Sequence, residues 1–208
     1  MAAYVTVVLT VDTLAARDSR FVLDWDMFRW RLAWGFDFFK FTLWLVIPFT
    51  LCLRRMDWGA LGVRRWRRVD LYILCGMAVV ACLAVLSIRL FPSLGATYQG
   101  LGRASWALKR QQAAHYLAWT ASWLVGWEFM HRYFLLRPLQ ARWPRFGWLV
   151  VPLAEGVYHL QKPLLEAAGM VALSLFLTPW AMRRNNVALP FVAHLLFELG
   201  LLAYLLFA

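Results

Sequence analysis

Residues 71–88 run without a single charged side chain, close to the ~20 apolar residues a helix needs to cross a bilayer. A run of that kind cannot be left in water, and several others follow it. Residues 41–53 form a first apolar stretch, extendable back to Trp34 at the cost of including Asp37 and Lys40. Residues 113–136, 146–160, 164–182 and 187–207 supply four more. The pattern predicts an all-α, polytopic transmembrane helical bundle of about six spans. Composition agrees, with 62% hydrophobic and 16% charged residues against roughly 45–50% and 25% in soluble domains. The 13 Trp and 7 Tyr suit a chain that crosses the headgroup region repeatedly.

The N-terminal apolar run, residues 4–11, is too short to span and does not read as a signal peptide. Residues 12–40 mix Asp18, Asp24, Asp26, Arg29 and Arg31 with Trp25, Phe28, Trp30 and Trp34, which predicts a helix lying at the membrane interface. The chain therefore divides into an interfacial segment at 1–40, two spans and a long loop at 41–112, and a core of about four spans at 113–208. Pro92, Gly95, Gly100 and Gly102 punctuate that loop, residues 89–112.

A net charge of +11 raises the question of nucleic acid. The basic residues, however, fall in short Arg clusters between apolar runs, as loops facing anionic lipid do. Membrane lipid is the expected partner, and nucleic acid is not. Loops 54–69, 137–145 and 183–186 share one side and carry six, three and two Arg; the expectation is that they are cytoplasmic, with multi-pass insertion in a bacterial inner membrane. Cys52, Cys75 and Cys82 lie within apolar runs and offer neither a disulfide framework nor ligand spacing.

Beyond Asp70 the only acids are Glu128, Glu155, Glu166 and Glu198, and the only histidines of the chain are His115, His131, His159 and His194. All eight fall within expected spans, where ionisable groups are costly and mark functional sites by default. Glu128 and Arg132, Glu155 and His159, and His194 and Glu198 are each four residues apart, so each pair shares a helix face. Three converging polar stripes could satisfy one another as a network that fixes helix register, or could hold a water, a metal or a scissile peptide. Zn²⁺ bound by Glu128, His131 and the later histidines is conceivable from donor type alone, but no H-E-x-x-H pattern is present. His115 reads as an interfacial residue.

These residues resemble the CAAX-prenyl-protease-like and bacteriocin-processing (CPBP, or Abi) intramembrane proteases over about residues 113–205. That family carries E-E-x-x-x-R, then F-x-x-x-H, then H-x-x-x-N or H-x-x-x-D on consecutive helices. Trp127-Glu128-Phe129-Met130-His131-Arg132, Glu155-Gly156-Val157-Tyr158-His159 and His194-Leu195-Leu196-Phe197-Glu198 occupy the three positions. The resemblance implies peptide hydrolysis without a required metal: a glutamate and a histidine activate water, and the last histidine and its partner stabilise the oxyanion. Three positions depart from the pattern. Trp127 replaces the first glutamate, Glu155 the phenylalanine and Glu198 the amide. A similar branch has W-E-F followed by H-x-x-K-P-x-x-E, present here as His159-Leu160-Gln161-Lys162-Pro163-Leu164-Leu165-Glu166.

The implied catalytic set is Glu128, Arg132, His159, Glu166, His194 and Glu198, with Glu128 or Glu166 as water activator. Pro163 breaks the helix between His159 and Glu166, so periodicity does not decide whether they meet. Straight helices would put Glu128 and His194 in the cytoplasmic half and His159 nearer the other face. The expected substrate is a membrane-anchored peptide or protein. Two other functions fit the residues: a catalytically impaired scaffold that binds peptides, and a small transporter or proton-coupled channel.

Overall fold

The computed structural model describes residues 1–17, 35–62 and 66–208, with backbone only at 15–17. Every regular element among them is helical. Helix α1 is Ala2–Arg17. Helix α2 covers residues 38–52 and contains a π-helical stretch at Phe41–Val46. Helix α3 is Arg68–Ser87, extended by a 3₁₀ turn at Ile88–Leu90, and α4 is the short Pro92–Thr97. Helix α5 begins as Trp106–Phe129, passes through a π-helical stretch at Met130–Leu135 and continues as Leu136–Arg142. Helices α6, α7 and α8 are Val150–His159, Leu164–Arg184 and Ala188–Phe207.

Among the described residues, three segments are long and apolar enough to cross a membrane: Arg68–Leu90, Leu164–Arg184 and Ala188–Phe207. The α3 segment shows why. Leu71, Tyr72, Val79, Leu83 and Leu86 are all exposed, a surface that only lipid would cover favourably. The other three expected spans are helical but of different character. Helix α5 is long, yet it buries Glu128, His131 and Arg132. Helix α2 is shorter, and the 10 residues of α6 rise only about 15 Å, half the ~30 Å of hydrocarbon.

The N-terminal run packs into the bundle. Val5, Val8 and Leu9 are buried with Trp44, Trp127 and Phe134, and Tyr4 donates to the Leu43 carbonyl at 2.7 Å. Asp12 accepts a hydrogen bond from Tyr158 and lies 3.6 Å from Lys40. The interfacial helix expected over 12–40 falls mostly at 18–34, outside the described residues.

Two apolar cores organise the rest. One joins α1, α2 and α5; the other joins α3, α7 and α8 around Leu74, Leu177 and Leu189. Close approach of α2 to α5 depends on Gly126, where a Cβ would stand 2.9 Å from the Trp44 carbonyl carbon. The loops expected to share one side do meet. Arg137 donates to Asp57 at 3.0 Å and to Asn185 at 2.9 Å, and Arg184 holds Asp70 at 2.6 Å. Asn185 ends α7 in the left-handed conformation, φ 44°, one that Asn adopts more readily than most residues. At the opposite end Leu101 N–H donates to Leu205 O at 2.8 Å, tying the 98–104 turn to the end of α8.

Candidate active site

The polar residues of α5 to α8 form one continuous column. Its inner part is built on Arg132, in the π-helical turn of α5. Such turns re-aim side chains and are frequent at functional sites. Arg132 Nη1 and Nη2 donate to Glu155 Oε1 and Oε2 at 2.6 and 3.2 Å, a bidentate pair. Ser174 on α7 stands 3.5 Å from Nη2. Arg132 Nη1 is also 3.0 Å from Glu128 Oε2, an ion-pair distance, although that oxygen has no aligned hydrogen bond. The other oxygen of Glu128 lies 2.7 Å from His194 Nδ1. Glu128, Arg132, Glu155 and His194 are all buried. Both oxygens of Glu128 thus face a nitrogen base.

The outer part gathers around His159, the last residue of α6. Its Nδ1 lies 2.8 Å from the Glu155 carbonyl oxygen. A carbonyl only accepts, so Nδ1 carries the proton and Nε2 is left as an acceptor. Glu166, Glu155 and His194 all lie within electrostatic range of this ring. Pro163 turns the chain in an extended conformation, φ −52° and ψ 139°, and α7 restarts at Leu164. Glu166 therefore sits in the first turn of α7, within electrostatic range of His159.

Two tyrosines complete this outer part. Tyr98 donates to Glu166 Oε2 at 2.7 Å, and Tyr116 on α5 donates to Glu198 Oε2 at 2.6 Å. The second oxygens make only long contacts. Glu166 Oε1 is 3.8 Å from Lys162 Nζ, and Glu198 Oε1 is 3.8 Å from His194 Nε2. Tyr98 and Tyr116 each feel both carboxylates, so the four side chains form one cluster. Burial, then the Glu166 carboxylate, push the Tyr98 phenol well above its ordinary range, which keeps the proton on the donor.

Trp127 fills the space between the two parts. Its ring centroid is 5.6 Å from that of His159, edge to face, and 4.1 Å from that of His131. Trp44 and Tyr158 close the other sides at 5.3 and 5.1 Å. His131 turns its Nδ1 to the Trp127 carbonyl at 2.9 Å, with Glu155 Oε1 at 3.9 Å. Among the described residues no three of His, Cys, Asp and Glu gather as a metal-ligand set.

The six residues singled out from sequence, Glu128, Arg132, His159, Glu166, His194 and Glu198, all lie in the column. The separation expected from straight helices does not occur: His159 and His194 are within electrostatic range, because α6 is short and ends at the level of the site. Sequence reasoning missed Tyr98 and Tyr116. Tyr116 heads an aromatic stripe, Tyr116, Trp119, Trp123 and Trp127, at helical spacing along α5. That stripe was the available signal; Tyr98, in a Gly- and Pro-marked loop, offered none.

Residues 110–200 match the family described as type II CAAX prenyl endopeptidase, Rce1-like. The matched stretch runs from α5 into α8 and contains all six residues. This is a membrane-embedded protease family. No curated protein and no solved structure matches the chain.

Proposed function

We propose that the chain is an intramembrane endopeptidase that hydrolyses a membrane-proximal peptide bond, with Glu166 and His159 as the water-activating pair. The observation that supports this reading is that Glu166, in the first turn of α7 after Pro163, lies within electrostatic range of His159. Glu128, the other candidate activator, has one oxygen on His194 and the other at ion-pair distance from Arg132, so it serves better as the anchor of His194. His159 offers Nε2 as an acceptor to orient the water, and Glu166 takes the water proton as oxygen attacks the peptide carbonyl carbon. His194, carrying a proton on both nitrogens between the Glu128 and Glu198 carboxylates, donates Nδ1–H to Glu128 and presents Nε2–H on the Glu198 side, where a developing oxyanion would gain from a fixed donor. Collapse of the tetrahedral intermediate breaks the C–N bond, and the proton held by Glu166 passes to the departing amine. No cofactor is needed for these steps.

The substrate class is a peptide segment of a membrane-anchored protein, such as a C-terminal anchor or sorting segment. The Arg-rich loops at 54–69, 137–145 and 183–186 face the cytoplasm of a bacterial inner membrane, which puts the Glu166 end toward the outer face. Residues 113–208 form the catalytic core, and 1–112 support it.

The test uses the full chain in detergent with candidate membrane peptides, read by mass spectrometry. Glu166→Gln and His159→Ala are each expected to slow cleavage by at least about a hundredfold, with folding intact. Wild-type rates in both would overturn the assignment. Trp127 favours a second reading. An indole occupies the place beside His159 where the resembling family has a glutamate, as it would in a peptide-binding scaffold that no longer cuts. Peptide capture without cleavage, unchanged in His159→Ala, would select that reading.

A further inference from the structure

We infer that Tyr98 and Tyr116 are positioning residues of this site, each tying down one oxygen of a glutamate and leaving the other free to act. The inference rests on the peptidase reading for its consequence, but its geometry stands alone. Both contacts have the same form. The tyrosine hydroxyl meets Oε2 at 2.7 Å in one case and 2.6 Å in the other, while Oε1 keeps a 3.8 Å separation from its nearest base. A carboxylate held by one oxygen has one rotamer and one exposed lone-pair direction. That is what a general base or a histidine-orienting acid requires.

The groups facing Glu166 are Tyr98 from the loop after α4, Lys162 from the turn before α7, His159 from α6 and, through the shared cluster, Glu198 from α8. Those facing Glu198 are Tyr116 from α5, His194 on its own helix, and Tyr98 and Glu166. Lys162 is the single exposed member of the first set. It can leave Glu166, whereas the part-buried Tyr98 hydroxyl holds its place.

The pairing also accounts for Glu198. An ionised carboxylate cannot donate to an oxyanion as the amide of the resembling family does. Fixed by Tyr116, it can instead orient the Nε2 side of His194. The amide's task would then fall to His194, and Tyr116 would keep Glu198 in register. Both tyrosines reach the site from outside the three motif helix turns: one from a loop, the other three turns up α5.

The experiment is removal of each hydroxyl with the ring retained, Tyr98→Phe and Tyr116→Phe, in the full-length protein. Infrared spectroscopy reads the hydrogen bond directly. The carboxylate stretching bands that Glu166→Gln and Glu198→Gln abolish are expected to shift in the matching tyrosine variants. In the cleavage assay each variant is expected to lower kcat by about tenfold to a hundredfold with KM unchanged, the loss expected for one hydrogen bond to a charged group. Unmoved infrared bands overturn the inference, whatever the activity. Shifted bands without any cleavage by the wild type keep the geometry and overturn the peptidase reading. An unchanged kcat, in an active enzyme, reduces the tyrosines to structural contacts and overturns it as well.

Discussion

Replacing Glu155 by Leu strands the Arg132 guanidinium. Arg132 is buried, and Glu155 supplies both hydrogen bonds of its bidentate pair, at 2.6 and 3.2 Å. Glu128 would remain 3.0 Å away, but it lacks alignment and is already bound to His194. Breaking a buried pair by removing one partner costs about 3–5 kcal/mol, since the survivor is left desolvated. Removing both partners is far milder, because two desolvation penalties disappear along with the attraction. Glu155→Leu is therefore expected to lower the thermal unfolding midpoint, in a fixed detergent, by on the order of 10 °C. The double variant Arg132→Met with Glu155→Leu is expected to recover at least half of that loss. Equal midpoints for wild type and Glu155→Leu would refute the argument that this pair carries the inner site. A double variant as damaged as the sum of the two singles would refute its pairwise character.

Two further outcomes follow from other parts of the fold. Gly126→Ala places a Cβ 2.9 Å from the Trp44 carbonyl carbon and Cβ, so α2 and α5 must part. A loss of about 1–3 kcal/mol is expected, read as a lowered unfolding midpoint, and an unchanged midpoint would contradict the close packing. Asp57 lies in the loop between α2 and α3, where hydrogen bonds from Asn185 and then Arg137 hold its carboxyl down at about 2. Its contribution is present above the ordinary Asp value of ~4 and fades as pH falls toward 2. The midpoint gap between wild type and Asp57→Asn should therefore be constant near neutrality and close in acid. Partial exposure keeps the gap small; a gap that widens in acid would reverse the sign and refute the pairing.

The sequence made the polar column legible because its ionisable residues are so few. With four glutamates and four histidines after residue 70, and all in apolar runs, convergence was the economical expectation. Intrahelical spacing was less informative about who meets whom. Glu155 and His159 share a face at i, i+4, yet the Glu155 side chain goes to Arg132 while His159 Nδ1 bonds the Glu155 carbonyl. Such partners are chosen by the crossing of α5 and α6, which no single-helix period encodes. The Pro163 turn was visible, but not its direction. The span count was read from apolar length, which cannot separate a membrane-crossing helix from α6, a short helix that ends inside the bundle.

Trp127 and Glu155 are best understood together. The resembling pattern places an acid at the first position and an aromatic ring at the second; here the ring stands at 127 and the acid at 155. The first two motifs hold two acids and one arginine in either arrangement, but here both acids, Glu128 and Glu155, face Arg132. Physically the exchange is self-consistent. A carboxylate at 127 would sit among Trp44, Tyr158 and His131, where the neighbouring cations already have partners: Arg132 is paired with Glu155 and stands at ion-pair distance from Glu128, and Lys40, over the Trp44 ring, lies 3.6 Å from Asp12. An indole fits that apolar volume without charge. The consequence is that His159 has no acidic side-chain hydrogen-bond partner from the three motifs. Glu166, just beyond Pro163 and tied by Tyr98, is a carboxylate from outside the motifs within electrostatic range of that ring. The tryptophan that counts against catalysis by the usual residue thus goes with an acid, three residues beyond the proline, that can take over its task.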